Sequence, residues 1–148
     1  GLIQAGCAYL GDESIGIRGS TLDAVPYVKP LSLDASSREA LGIDGVEHPH
    51  VGPELIGAAV ELARGDQGPI DRIIFPIYDP GDPGSAEDLD PMDTLRALLA
   101  NTLNLGRAGS SGLQTLCDLA RSAPAVRIHH RDSPGLARIL VHEEPHRS

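Results

Sequence analysis

Residues 70–78 read IDRIIFPIY, and residues 125–129 read AVRIH. Ile70–Tyr78 is read as an apolar run with β-branched residues, which fits a strand covered on both faces better than a half-exposed one. The second is read as a further strand. Between them the period changes. Leu95, Leu98 and Leu99 recur on one face of a helix expected from Pro91 or Met92 to about Asn101. Leu113, Leu116, Cys117, Leu119 and Ala120 mark another helix behind GRAGSSG (106–112), which is read as a flexible glycine loop. The acidic stretch DPGDPGSAEDLDP (79–91) is read as a surface loop. Residues 133–135, Ser-Pro-Gly, predict a turn into a last strand over Ala137–His142.

The first half of the chain repeats the alternation. Leu2–Leu10 and Ser14–Arg18 are β-compatible runs separated by Gly11-Asp12-Glu13. Val25–Leu33 holds Pro26 and Pro30, which restrict it to an edge or an irregular extended piece. Leu55, Ala58, Ala59, Leu62 and Ala63 predict a helix, with Pro53 near its start and Gly65 just past its end. Strands alternating with helices predict an α/β fold: a single domain in three layers, α/β/α, with a mostly parallel or mixed sheet. Ligands in such folds sit at the loops following the strand ends.

Composition narrows the function. The chain has 148 residues, 41% of them hydrophobic but only 3% aromatic, and a formal net charge of −9. That length supports one buried core, built here from Ala, Val, Leu and Ile. With 21 acids against 12 bases, general duplex nucleic-acid binding is disfavoured, because phosphate neutralisation needs a basic stripe. The single Phe75 and three tyrosines offer few platforms for stacked bases. No run is long enough for a membrane span, and no signal peptide is visible. Cys7 and Cys117 do not make a disulfide framework, so a cytoplasmic setting is expected. A start at Gly1 is compatible with excision from a longer protein.

Six histidines fall in three pairs, at 48/50, 129/130 and 142/146. HEEPH at the C-terminus matches H-E-x-x-H, but that motif needs a helix, and Pro145 stands inside it. His48 and His50 project to one side of an extended segment without an evident third ligand. No metal and no cofactor is therefore expected. Ser110 and Ser111 do not sit in G-x-S-x-G register, so no nucleophile elbow is read. Gly106, Gly109, Ser110, Ser111 and Gly112 are read either as a plain connector or as an anion cradle ahead of a helix N-terminus. Because Lys29 is the only lysine, backbone amides are the natural phosphate ligands in this chain.

Residues 42–55 read GIDGVEHPHVGPEL. By itself the segment is either a capping turn or a loop-to-helix corner whose amides face a pyrophosphate, with Asp44 beside the sugar. It resembles the macrodomain family, which binds ADP-ribose, in its motif G-V-D-G-A-I-H-x-x-x-G-P-E-L. Gly42, Asp44, Gly45, His48, Gly52, Pro53, Glu54 and Leu55 stand in that register. Gly11-Asp12 lies where the family carries a Gly-Asp pair whose aspartate meets the adenine amino group, and Ser32–Ser37 (SLDASS) stands at its V-N-A-A-N. The resemblance implies binding of ADP-ribose, a related nucleotide diphosphate sugar or an ADP-ribosylated protein. The implied ligand-binding residues are Asp12, Asp34, Ile43, Gly45 and Val46, with Asp44 in the catalytic position. For the diphosphate two registers remain open: Gly106–Gly112, or the loop at 81–84 through a match of Phe75-Pro76 and Gly81 to F-P-x-x-x-x-G. The family's catalytic-type asparagine falls on Ser37 or its neighbour, which favours binding over hydrolysis.

A second resemblance, of Val126–Val141 to the strand-turn-strand of phospholipase-D-like proteins, implies a degenerate domain, since Ala137 and Arg138 stand where its His and Lys would be. The competing class is a non-catalytic interaction module whose acidic face meets a partner.

Overall fold

The computed structural model describes residues 2–3, 7–27, 29–43, 50–52, 68–82 and 84–142. It is an α/β structure in which the Cα positions cluster into two compact units. One comprises Gly1–Gly16 and Ala24–Gln67, the other Ile17–Asp23 and Gly68–Ser148. The elements, in order, are β1 (Gly16–Ile17), β2 (Ala24–Val25), β3 (Leu31–Ser32), α1 (Ala35–Ala40), β4 (His50–Val51), β5 (Ile73–Tyr78), β6 (Ser85–Leu89), α2 (Pro91–Ala100), α3 (Leu105–Ser122), β7 (Ala125–His130) and α4 (Ser133–His142). No helix among the described residues is long and apolar enough to cross a membrane.

In the larger unit β5, β7 and β6 form a mixed sheet in that spatial order. β5 runs parallel to β7, from Ile73 opposite Ala125 to Tyr78 opposite His130. β6 runs antiparallel to it, from Ser85 opposite His129 to Leu89 opposite Ala125. The two apolar runs singled out from the sequence are thus hydrogen-bonded neighbours. β7 takes the central place, and Ile128 and Val126 on one of its faces are 0% and 2% exposed. α4 packs against β7, and α2 packs against α3, whose Leu116, Leu119 and Ala120 are buried.

Helix α2 falls where its periodicity places it. Asp90 caps it, accepting the Met92 and Asp93 N–H groups, and Pro91 fills a first-turn position where no N–H is needed. Three expectations for the larger unit are corrected. The stretch read as an acidic loop contains the edge strand β6, because Glu87 is ion-paired across the ladder with Arg127 at 2.7 Å. Charged side chains are ordinary on an edge strand, so acidity did not exclude β structure.

Residues 106–112, read as a glycine loop, fall in α3, whose two helical segments meet at a kink at Gly109. Gly109 alone leaves helical geometry, at φ 59° and ψ −143°, a conformation open to glycine. Burial of the leucine face farther along outweighs the poor helix propensity of the glycines.

Residues 137–142, read as a strand, belong to α4. Ser-Pro-Gly opens that helix instead of turning a hairpin. The Asp132 carboxylate accepts the Gly135 N–H and its carbonyl the Leu136 N–H. Leu136, Ile139 and Leu140 then recur at helical spacing.

The smaller unit is held by buried Tyr9 and Leu31, against which Ile3, Leu33 and Ile43 pack. Leu2 and Ile3 lie in a turn closed by the Cys7 N–H on the Leu2 carbonyl, so the expected strand over Leu2–Leu10 does not form there. Pro26 and Pro30 divide the extended piece into β2 and β3, as their missing N–H groups require. β3 pairs antiparallel with β4, Leu31 opposite Val51 and Ser32 opposite His50. The helix expected around Leu55–Ala63 lies outside the described residues.

Truncating Ile128 tests whether β7 is the keystone of the mixed sheet. Ile128→Ala is expected to lower stability by about 3 kcal/mol, read as a shift of the urea midpoint at unchanged slope. A loss below about 1 kcal/mol would show that the strand is not packed as described.

Candidate functional site

The smaller unit gathers polar side chains from four separate stretches of sequence. The chain leaves buried Tyr9 and turns at Gly11, where the Tyr27 N–H closes on the Leu10 carbonyl. A Cβ at residue 11 would stand 3.2 Å from both the Ser14 and the Tyr27 carbonyl oxygens, so glycine allows this close approach. The turn delivers Asp12 and Glu13 to the end of β3. Asp12 Oδ2 accepts the Ser32 N–H at 2.9 Å, across 20 positions of sequence. Glu13 Oε2 accepts from Lys29 Nζ at 2.6 Å. Register between β3 and β4 then sets His50 beside Ser32, with Nδ1 3.4 Å from the Ser32 hydroxyl.

Beneath the cluster, the Tyr9 hydroxyl donates to the Lys29 carbonyl at 2.9 Å. Burial raises the pKa of this phenol, and the negative charge of Asp12 raises it further. Above it, the hydrogen bond from Lys29 holds the Glu13 carboxyl below its ordinary range, helped by a hydrogen bond with the Ser32 side chain and by His50. The same bond raises the Lys29 ammonium. Two carboxylates, an ammonium, a hydroxyl and an imidazole therefore meet on one polar surface over an apolar floor. Such a group offers both hydrogen-bond donors and acceptors at one place. A carboxylate has about four acceptor positions, and the Ser32 N–H uses one of those on Asp12.

The structure places the residues singled out from the sequence as follows. Asp12 is in the cluster. Asp34, two positions past Ser32, is the N-cap of α1: its Oδ1 accepts the Ser37 N–H and the Ser36 hydroxyl, which holds its carboxyl below the usual range. Ile43 packs on the Tyr9–Leu31 core, and its N–H is bonded to the Arg38 carbonyl. Asp44, Gly45 and Val46 lie outside the described residues, as does His48.

Gly106, Gly109, Ser110, Ser111 and Gly112 belong to α3 in the other unit, where Ser111 Oγ donates to the Ala108 carbonyl and Gly112 stands hard against the Ala108 side chain. The loop at 81–84 remains a loop, but its Gly81 and Gly84 N–H groups are bonded to the carboxylates of Asp79 and Asp82. Glu13 follows Asp12 in the chain, Lys29 joins through its bond to Glu13, and His50 joins through the β3–β4 pairing. The lone lysine and the adjacent Asp12-Glu13 pair were the available signals. Cys7 and Cys117 are free thiols.

No protein-family model, curated protein or solved structure matches the chain.

The Glu13–Lys29 pair makes a pH prediction. Glu13 is lowered from 4.5 and Lys29 raised from 10.5, so both stay charged between those values. The contribution of Glu13 is present above its unfolded pKa and is lost as pH falls through the lower folded one. An NMR titration should place the Glu13 carboxyl midpoint below 4.5 and move it upward in Lys29→Met. An unchanged midpoint in that variant would show that the pair does not form in solution.

Proposed function

We propose that the smaller unit binds a nucleotide diphosphate ligand of the ADP-ribose type, with Asp12 accepting from the base. One observation carries this reading. Asp12 and the Ser32–Ser37 segment, far apart in sequence, are the two stretches that the macrodomain resemblance assigns to one ligand, and Asp12 is bonded to Ser32. Ile43, at the start of the third such stretch, packs on the core beneath them.

On this reading the diphosphate is assigned to residues 44–46, since Gly106–Gly112 belongs to α3 of the other unit and the Gly81 and Gly84 amides are engaged by carboxylates. Asp44 then faces the distal ribose. Binding is the primary activity proposed and hydrolysis of an ADP-ribosyl bond a secondary one, because Ser37 offers no carboxamide where the family's asparagine would stand. An ADP-ribosylated protein is the macromolecular form of the same ligand. The reading carries with it a single three-layer α/β/α domain.

Calorimetric titration with ADP-ribose is the direct test. Micromolar affinity is expected, weakened at least tenfold in Asp12→Asn, which removes the charge but keeps an oxygen to accept the Ser32 N–H. Circular dichroism of the variant separates loss of binding from loss of fold. No heat at millimolar ADP-ribose, or equal affinity in folded Asp12→Asn, would refute the assignment.

A further inference from the structure

The larger unit holds a second polar cluster, formed where its sheet changes direction. β5 ends at Tyr78, and β6 begins at Ser85 on the far side of β7. The intervening bridge must therefore pass the C-terminal end of β7. It is tied there by the Asp79 N–H on the His130 carbonyl at 2.8 Å, and this sets Asp79 and Asp82 against His129. The place is the C-terminal end of a parallel strand pair, where ligands of α/β sheets are held.

We propose that Asp79, Asp82 and His129 form a binding site for one divalent transition-metal ion of the manganese, cobalt or zinc type. One ligand atom from each residue lies within 4.8 Å of the others, and His129 Nδ1 is 3.9 Å from Asp79 Oδ2. Two ligands at about 2.1 Å from a common ion are about 3–3.5 Å apart in tetrahedral or cis-octahedral geometry. The cluster is thus within about 1–2 Å of a closed coordination shell. The side chains that must move are half-exposed, His129 at 32% and Asp79 at 47%.

The imidazole is the part of this cluster that an acidic loop alone would lack. It comes from the central strand, 47 positions beyond Asp82, and the ladder fixes where it stands. Register puts His129 on the face it shares with Ile77 and Ser85. His130 points to the other face, where its ring meets Tyr78 edge-on and its Nδ1 lies 3.1 Å from the Asp132 carbonyl.

The carboxylates are held as well. Asp79 Oδ1 accepts the Gly81 N–H at 2.9 Å, Asp82 Oδ1 the Gly84 N–H at 2.7 Å, and Asp82 Oδ2 the Ser85 hydroxyl at 2.7 Å. Each keeps acceptor positions for a cation, whereas a phosphate would have to displace these aspartates from the same amides. One nitrogen with two carboxylates suits the transition metals better than calcium or magnesium, which favour all-oxygen shells. Three protein ligands leave further positions on the ion for water or an oxygen-bearing ligand.

The test uses the whole chain, purified without a histidine tag. Titration with zinc chloride and with manganese chloride should show one ion bound per chain, and cobalt(II) should give a visible absorption band on binding. Asp82→Asn, Asp79→Asn and His129→Gln are each expected to weaken binding at least tenfold, while His130→Gln binds as the parent does. The asparagines keep an oxygen for the loop amides, and thermal melts identify any variant that has lost its fold. No uptake at millimolar metal would overturn the proposal. So would parent-like binding in all three folded ligand variants, which would place the ion elsewhere in the chain.

Discussion

The larger unit depends on the insertion of β7 between two strands that precede it in sequence. Ile128 is completely buried, and the strand is hydrogen-bonded on both sides, parallel to β5 and antiparallel to β6. A central strand formed late in the chain fixes the rest. Once β7 is placed, the bridge after Tyr78 must cross the end of the sheet, and the helices between β6 and β7 must fold back on themselves. α2 and α3 do so by packing together, with Leu116 and Leu119 buried. The cluster of Asp79, Asp82 and His129 is a consequence of the same crossing.

In the smaller unit Tyr9 has the equivalent role. Its ring lies in the apolar floor with Leu31, while its hydroxyl is bonded to the Lys29 backbone. One side chain thereby joins the core to the polar surface above. Asp12 completes the arrangement by spanning to Ser32, so the residue assigned to the ligand also helps to hold β3. A charge-retaining or amide replacement is therefore more informative at this position than alanine, which would remove fold and function together.

Much of the fold was legible where a single period ran through a stretch. Of the run expected over 70–78, residues 73–78 form β5, and the run at 125–129 became β7, which extends to His130; Leu95, Leu98 and Leu99 became α2 with its Asp90 cap. The misreadings share a cause: local composition pointed one way and a tertiary contact the other. Glycines at 106, 109 and 112 suggested a loop, yet only Gly109 departs from the helix. Acids at 87 and 88 suggested a loop, yet Glu87 has Arg127 across the ladder. Ser-Pro-Gly at 133–135 suggested a hairpin, yet Asp132 caps a helix there. For the proposed site, a motif resemblance singles out Asp12, and the structure shows it bonded to Ser32. No motif singles out Lys29 or His50, because a bond to Glu13 brings in the one and strand pairing the other, and no spacing along the chain encodes either.

The central claim is that a nucleotide diphosphate ligand meets the surface around Asp12, and amide chemical shifts followed during an ADP-ribose titration test it most directly. The account predicts saturable changes concentrated at Gly11, Asp12, Glu13 and the Leu31–Ser32 strand, with the amides of Gly106 to Gly112 unmoved. Absence of shifts at millimolar ligand, or shifts confined to residues 106–112, would contradict it.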